Sequence, residues 1–181
     1  MSEFFLELFS EEVPANLQKN TRETLLQNFT DFFEKENISF SGKGSSFSTP
    51  NRLLILFEKV NKKVIKETEE IRGPNINAPE NAVEGFLRSH NIEKKEIFKK
   101  KTEKGEFYFY KKPEKKINTI NLLEKNIPEI LDKISWKKSM KWSNFDLNWA
   151  RPLKSIMATF DGKTLLFDYH HLKSSNFSYI D

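Results

Sequence analysis

The sequence predicts an α+β fold, a small mixed sheet with packed helices, and three observations carry it. A short strand-forming run, Phe4 to Phe9, leads directly into a stretch whose apolar residues recur every three or four positions. Two later pairs of strand-like runs flank turn-forming residues, and a second helical spacing lies between 120 and 134. Their order predicts a discontinuous first domain, 1–70 completed by 146–181, with an inserted basic α+β subdomain at 71–145.

Phe4 to Phe9 is short and apolar, and Ser10-Glu11-Glu12 with Pro14 supplies the acidic and proline signals of a helix start. Leu17, Thr21, Leu25, Phe29, Phe32 and Phe33 then form one stripe along a helix ending near Asn37. Ile38 to Phe47 alternates loosely. Leu53 to Phe57 is a near-continuous apolar run of the kind seen in a strand covered on both faces, and Ser48-Thr49-Pro50-Asn51 would turn the chain between the two.

After Val60 the chain turns polar as far as Arg72-Gly73-Pro74, which marks a boundary. A short helix, about Pro79 to His90, has Val83, Phe86 and Leu87 on one side, and Phe107 to Tyr110 reads as a strand with aromatics on both faces. Ile120, Leu123, Ile127, Ile130, Leu131 and Ile134 have helical spacing. Pro128 lacks the amide a continuous helix needs, so two pieces or a kink are expected there. Ser155–Phe160 and Lys163–Tyr169 flank Asp161-Gly162, a type I′ hairpin signal because both turn positions take positive φ. The polar, Ser-rich end at Asp181 closes no element and reads as a chain interrupted inside a domain.

With 181 residues, 37% hydrophobic residues and 17 Phe, the chain can bury a core, and no internal repeat is visible. It has no Cys, which excludes disulfides, thiol nucleophiles and Cys-based zinc sites. Neither a secretory leader nor an apolar run of membrane-spanning length is present, so the expected address is cytoplasmic. The net charge is +4, but its distribution says more: Lys94 to Lys141 holds 15 Lys against 7 acidic residues, leaving the rest at −4. One basic segment interrupts a mildly acidic chain.

No glycine-rich phosphate loop, G-x-S-x-G or H-E-x-x-H occurs, so neither catalytic nor cofactor- or metal-binding residues are assigned. Glu11-Glu12 is better read as carboxylates at a helix N-terminus than as an acid/base pair. His170 and His171, as strand neighbours, would point to opposite faces and have no third ligand near. Trp136-Lys137-Lys138-Ser139-Met140-Lys141-Trp142 is different. It interleaves cations with aromatics, as surfaces do that neutralise phosphates while stacking on bases. The alternative is two Trp residues anchoring a basic connector to the core.

Four landmarks in order resemble one family, the beta subunit of bacterial heterotetrameric glycyl-tRNA synthetase. Phe5-Leu6 and Leu8 followed by Glu11-Glu12-Val13-Pro14 is similar to the family's strand and "TEELP"-like opening, with Ser10 where Thr is common. Thr49-Pro50-Asn51-Arg52-Leu53 resembles its "TPRRL" element, with Asn51 replacing the first Arg. Arg72-Gly73-Pro74 followed by Ala82-Val83-Glu84-Gly85-Phe86-Leu87-Arg88-Ser89 resembles a third, and Met140-Lys141-Trp142 with Phe145, then Arg151-Pro152-Leu153, a fourth.

The resemblance implies the N-terminal part of a longer subunit of glycine–tRNA ligase, a heterotetramer of two alpha and two beta subunits. The alpha subunit would bind ATP, magnesium and glycine. This region would hold no chemistry of its own and would help recognise tRNA(Gly) and assemble with the alpha subunit. The residues expected to touch tRNA or the alpha subunit are Arg52, Arg72, Trp136, Lys137, Lys138, Lys141, Trp142 and Arg151. Two other classes fit the residues alone: a free-standing RNA-binding module and a protein-interaction domain.

Overall fold

A computed structural model of the chain describes residues 1–66, 69–112, 114–141 and 146–179. They fall into two compact units, the first made of residues 1–64 and 117–181 and the second of 65–116.

The first unit is built around β1 (Ser2–Ser10), because this strand is paired antiparallel on both edges. On one side lies β4 (Arg52–Val60), with Leu6 opposite Ile55. On the other lies β10 (Leu153–Phe160), with Leu6 opposite Ala158. The even-numbered Phe4, Leu6 and Leu8 therefore share one face with Leu53, Ile55, Phe57, Ile156 and Ala158, all at most 2% exposed. Onto that face pack α1 (Ala15–Lys35) and α3 (Thr119–Asp132). The Phe4 ring lies 5.2 Å from that of Phe29, and Phe33 meets Phe57 edge-on at 4.9 Å.

The stripe predicted for α1 is the buried one: Thr21, Leu25, Phe29, Phe32 and Phe33 face inward, while Leu17 at its start is half-buried. Asn37 closes the helix at φ 57°, with the Ile38 amide donating to the Phe33 carbonyl at 2.8 Å. β2 (Phe40–Ser41) and β3 (Ser45–Thr49) both pair with β4. β4 buries alternate residues, with Leu54 and Leu56 only half-covered, so the apolar run is not a strand sealed on both faces.

Other expectations need correction as well. α3 belongs to the first unit, so the insertion is 65–116 and not 71–145; Leu123, Ile127, Ile130 and Leu131, each at most 2% exposed, carry its apolar face into the main core. It also runs through Pro128 as one helical span, so of the two pieces or the kink expected there the two pieces are not formed. A mid-helix proline costs ~3 kcal/mol, whereas each of those four buried side chains contributes about 1.5–3 kcal/mol, so packing outweighs the lost amide.

The Asp161-Gly162 turn forms with φ of 55° and 71°, pairing Phe160 with Lys163. The second strand is shorter than expected. β11 (Lys163–Thr164) ends where Leu165 turns into the core, and β12 (Asp168–Tyr169) and β13 (Leu172–Ser175) follow, β13 lying parallel to β10. His170-His171 is the turn between these last strands, with His170 at φ 52°, and not strand residues.

The second unit is a three-stranded sheet in the order β6 (Glu70–Asn75), β8 (Gly105–Lys111), β7 (Ile97–Thr102), with α2 (Glu80–His90) joining β6 to β7. β5 (Lys63–Lys66) and β9 (Lys115–Asn118), where the chain passes between units, pair as a two-stranded sheet.

Two consequences can be measured. A Cβ on Gly44 would lie 2.5 Å from the Phe57 ring and 2.8 Å from Leu26, so Gly44→Ala is expected to destabilise the chain by about 1–3 kcal/mol in urea unfolding. Asp161 accepts from Lys62 at 2.6 Å and from Ser2 at 2.7 Å, and these hydrogen bonds hold its carboxyl below its ordinary value of 3.8. A lowered folded-state pKa stabilises above the unfolded value and is lost as pH falls through the folded one. Asp161→Asn, which tolerates the same left-handed turn, should therefore be less stable than the parent at pH 7, the difference closing below about pH 3.8; a gap independent of pH would show that the charge is irrelevant.

Candidate nucleic-acid interface

After α3 the chain is pinned at two places, and the cations lie between them. Ile134 is buried and Trp136 half-buried, with the Trp136 ring 5.0 Å from that of Trp149 at 60°. Trp149 is 1% exposed and packs edge-on against Tyr169 at 6.3 Å. Met140 and Trp149 then exchange backbone hydrogen bonds of 2.9 and 3.3 Å as an isolated bridge. Lys137 and Lys138, set between the Trp anchor and the bridge, are held outward and exposed. Trp136 acts as an anchor and not as an open stacking ring; Trp142 and Phe145 lie outside the described residues.

Trp149 also sets the position of Arg151, two residues on. Its Nε donates to the Glu12 carbonyl at 3.2 Å, across from the start of α1. A groove of about 500 Å³ results, with Lys137, Lys138 and Arg151 on its wall and Leu17, Met140 and Ala150 giving it an apolar floor. The start of α1 borders this groove with no acidic residue in its first turn; Glu11 and Glu12 precede the Pro14 cap and line a neighbouring hollow with Arg151. Such a groove suits a phosphodiester with its sugar against the floor. Lys141 does not line it and pairs with Asp146 at 3.7 Å, an exposed contact of little energy. The floor residues escape sequence reading, because 17, 140 and 150 meet only through the fold.

The remaining cations are placed elsewhere. Arg52 lies on the sheet face away from the helices, its Nε 3.6 Å from Glu7 and its guanidinium 4.6 Å from the centroid of Phe9, while Nη2 donates to the Tyr179 carbonyl. Glu7 is buried, and Ser178 also donates to it. Arg52 thus has a structural task. Arg72 belongs to the second unit. Glu11 pairs with Lys154 at 2.7 Å, and the Tyr169 hydroxyl donates to Asp132 at 2.9 Å; burial, then that carboxylate, pushes its pKa up. Among the described residues no three His, Asp or Glu side chains converge as a metal site, and no helix is long and apolar enough to cross a membrane.

A sequence model described as glycyl-tRNA synthetase beta subunit matches residues 4–181. The chain belongs to that family. The "glycine--tRNA ligase beta subunit" of Rickettsia prowazekii (strain Madrid E) is 40% identical over 179 residues, 99% of this chain and 27% of the relative. Those of Rickettsia felis (strain ATCC VR-1525 / URRWXCal2) and Rickettsia akari (strain Hartford) are 38% and 39% identical over the same shares. The chain thus spans about a quarter of the length of these relatives. Met140 and Arg151, central to the family resemblance, are both groove residues, whereas Arg52 of the "TPRRL"-like element supports the sheet.

Removing Arg52 leaves the buried Glu7 carboxylate short of its cation. Arg52→Ala is therefore expected to cost about 1–3 kcal/mol in urea unfolding, against about 0.5 kcal/mol or less for Arg151→Ala. Equal effects would dissolve this division between a structural and a surface arginine.

Proposed function

We infer that this chain serves ATP-dependent glycylation of tRNA as the non-catalytic N-terminal region of a glycine–tRNA ligase beta subunit, helping to hold tRNA(Gly) and to assemble with the catalytic alpha subunit. The groove formed by Lys137, Lys138 and Arg151 carries the reading. The backbone that carries Lys137 and Lys138 is held by the Trp136–Trp149 contact and the Met140–Trp149 bridge, which lowers the ordering cost of meeting a polyanion. ATP and magnesium are assigned to the alpha subunit, and the working assembly to two alpha and two beta subunits in the cytoplasm. The contribution of this region is orientation: a fixed tRNA backbone lets the terminal ribose meet the activated glycine held by the other subunit.

The test is charge reversal of Lys137, Lys138 and Lys141 in the full beta subunit, with tRNA binding followed against salt and assembly with alpha measured separately. Each lost phosphate contact should flatten the dependence of log K on log salt by about 0.7–0.9. An unchanged slope with weakened assembly would move the patch to the alpha-subunit interface. Unchanged binding, assembly and charging would reduce it to a solvated connector.

A further inference from the structure

The sheet of the second unit has two unlike faces. On the side of α2, a Cβ at Gly73 would lie 2.9 Å from the Phe86 ring, so the helix lies close against β6 there. On the other, the register sets Arg72, Phe109 and Phe98 in one row across the three strands and Asn75, Phe107 and Lys100 in the next. Three Phe rings thus share this second face, in the middle and on one edge of the sheet, with Phe98 exposed, Phe107 half-buried and Phe109 buried at 8%.

Charged side chains cover these rings. The Arg72 guanidinium sits 3.6 Å from the Phe107 centroid, and the Lys100 ammonium 5.5 Å from that of Phe109. Lys100 also pairs with Glu70, so the ion pair bridges the middle strand from β7 to β6 above Phe109. Both of its side chains remain well exposed, at 48% and 39%, so what roofs Phe109 there is this charged pair, with solvent beyond it. Phe98 is 37% exposed and lies stacked beside Phe109 at 6.2 Å.

We propose that this face is a stacking platform for unpaired bases of a single-stranded RNA segment. A guanidinium in contact with a ring presents its outer plane to a further π-system, so a base laid on Arg72 continues the stack that begins at Phe107. A second base takes the exposed face of Phe98. Lys100, released from Glu70, and Lys111 in the adjoining row supply cations for the phosphates between the bases. An aromatic row flanked by cations on an open sheet matches a ligand with both flat faces and regular negative charge; a protein surface offers the second only by accident. The site is separate from the Lys137–Arg151 groove and reads bases, where the groove meets backbone.

The 181-residue chain is titrated into a fluorescein-labelled ten-nucleotide RNA of mixed sequence, single-stranded or annealed to its complement, and anisotropy is recorded. The single strand is expected to bind more tightly than the duplex. Phe98→Leu, which keeps an apolar side chain against Phe109, and Arg72→Gln should each weaken it about 5- to 100-fold while leaving the melting transition in place. Charge reversal at Lys137 and Lys138 should change this affinity less than either, which keeps failure of the groove and failure of the platform distinguishable. Equal affinity for single strand and duplex, or wild-type affinity in both platform variants, overturns the proposal.

Discussion

The whole first unit hangs on the double pairing of β1. A central strand formed by residues 2–10 has its partners at 52–60 and at 153–160, so neither half of the chain owns a complete sheet. Until β10 docks, one edge of β1 is a row of unpaired amides and carbonyls beside an apolar face, an arrangement that invites wrong partners. Closing it is what brings Arg151 to the carbonyl of Glu12 and the start of α1 to Lys137 and Lys138. The groove is thus a by-product of sheet topology, its walls separated by more than a hundred residues of sequence.

That topology also explains which features the sequence displays. β1, α1 and the Asp161-Gly162 turn are each specified by neighbours a few positions away: a period, a proline, a pair of residues that tolerate positive φ. They could be read directly. The continuity of α3 could not, because the force overriding Pro128 comes from β-sheet residues far away in sequence. The same holds for the insertion's boundary. Lysine density suggested a basic subdomain reaching 145, but charge patterning describes surface, and α3 is assigned by its buried stripe.

Cations show the limit most clearly. Arg52, Arg72 and Arg151 stand in similar short motifs within two residues of a Pro or Gly, and sequence alone treats them alike. The fold gives them three tasks: one neutralises buried Glu7, one lies on an aromatic ring, one lines a groove. A carboxylate 171 residues from its serine donor leaves no local signature. For the candidate site, what could be read was the Trp-Lys-Lys-Ser-Met-Lys segment; what could not was the partner surface of α1 that turns it into a groove.

The insertion is arranged so that it need not disturb this core. On either side of it, the Asn61 and Lys62 carbonyls accept from the hydroxyl and the amide of Thr119, which is fully buried. The two chain ends of the 65–116 unit are therefore clamped together by one side-chain and one main-chain hydrogen bond that make no reference to what lies between them. The entropic cost of closing a loop grows only logarithmically with its length, about 0.6 kcal/mol per doubling, so a compact unit of its own can occupy that position at small expense to the sheet. Once the ends are fixed, selection can act on the rings and cations of β6, β8 and β7 without altering the register of β1. Thr119 is where the two requirements meet, one hydroxyl and one amide that both begin α3 and hold the insertion's ends in place.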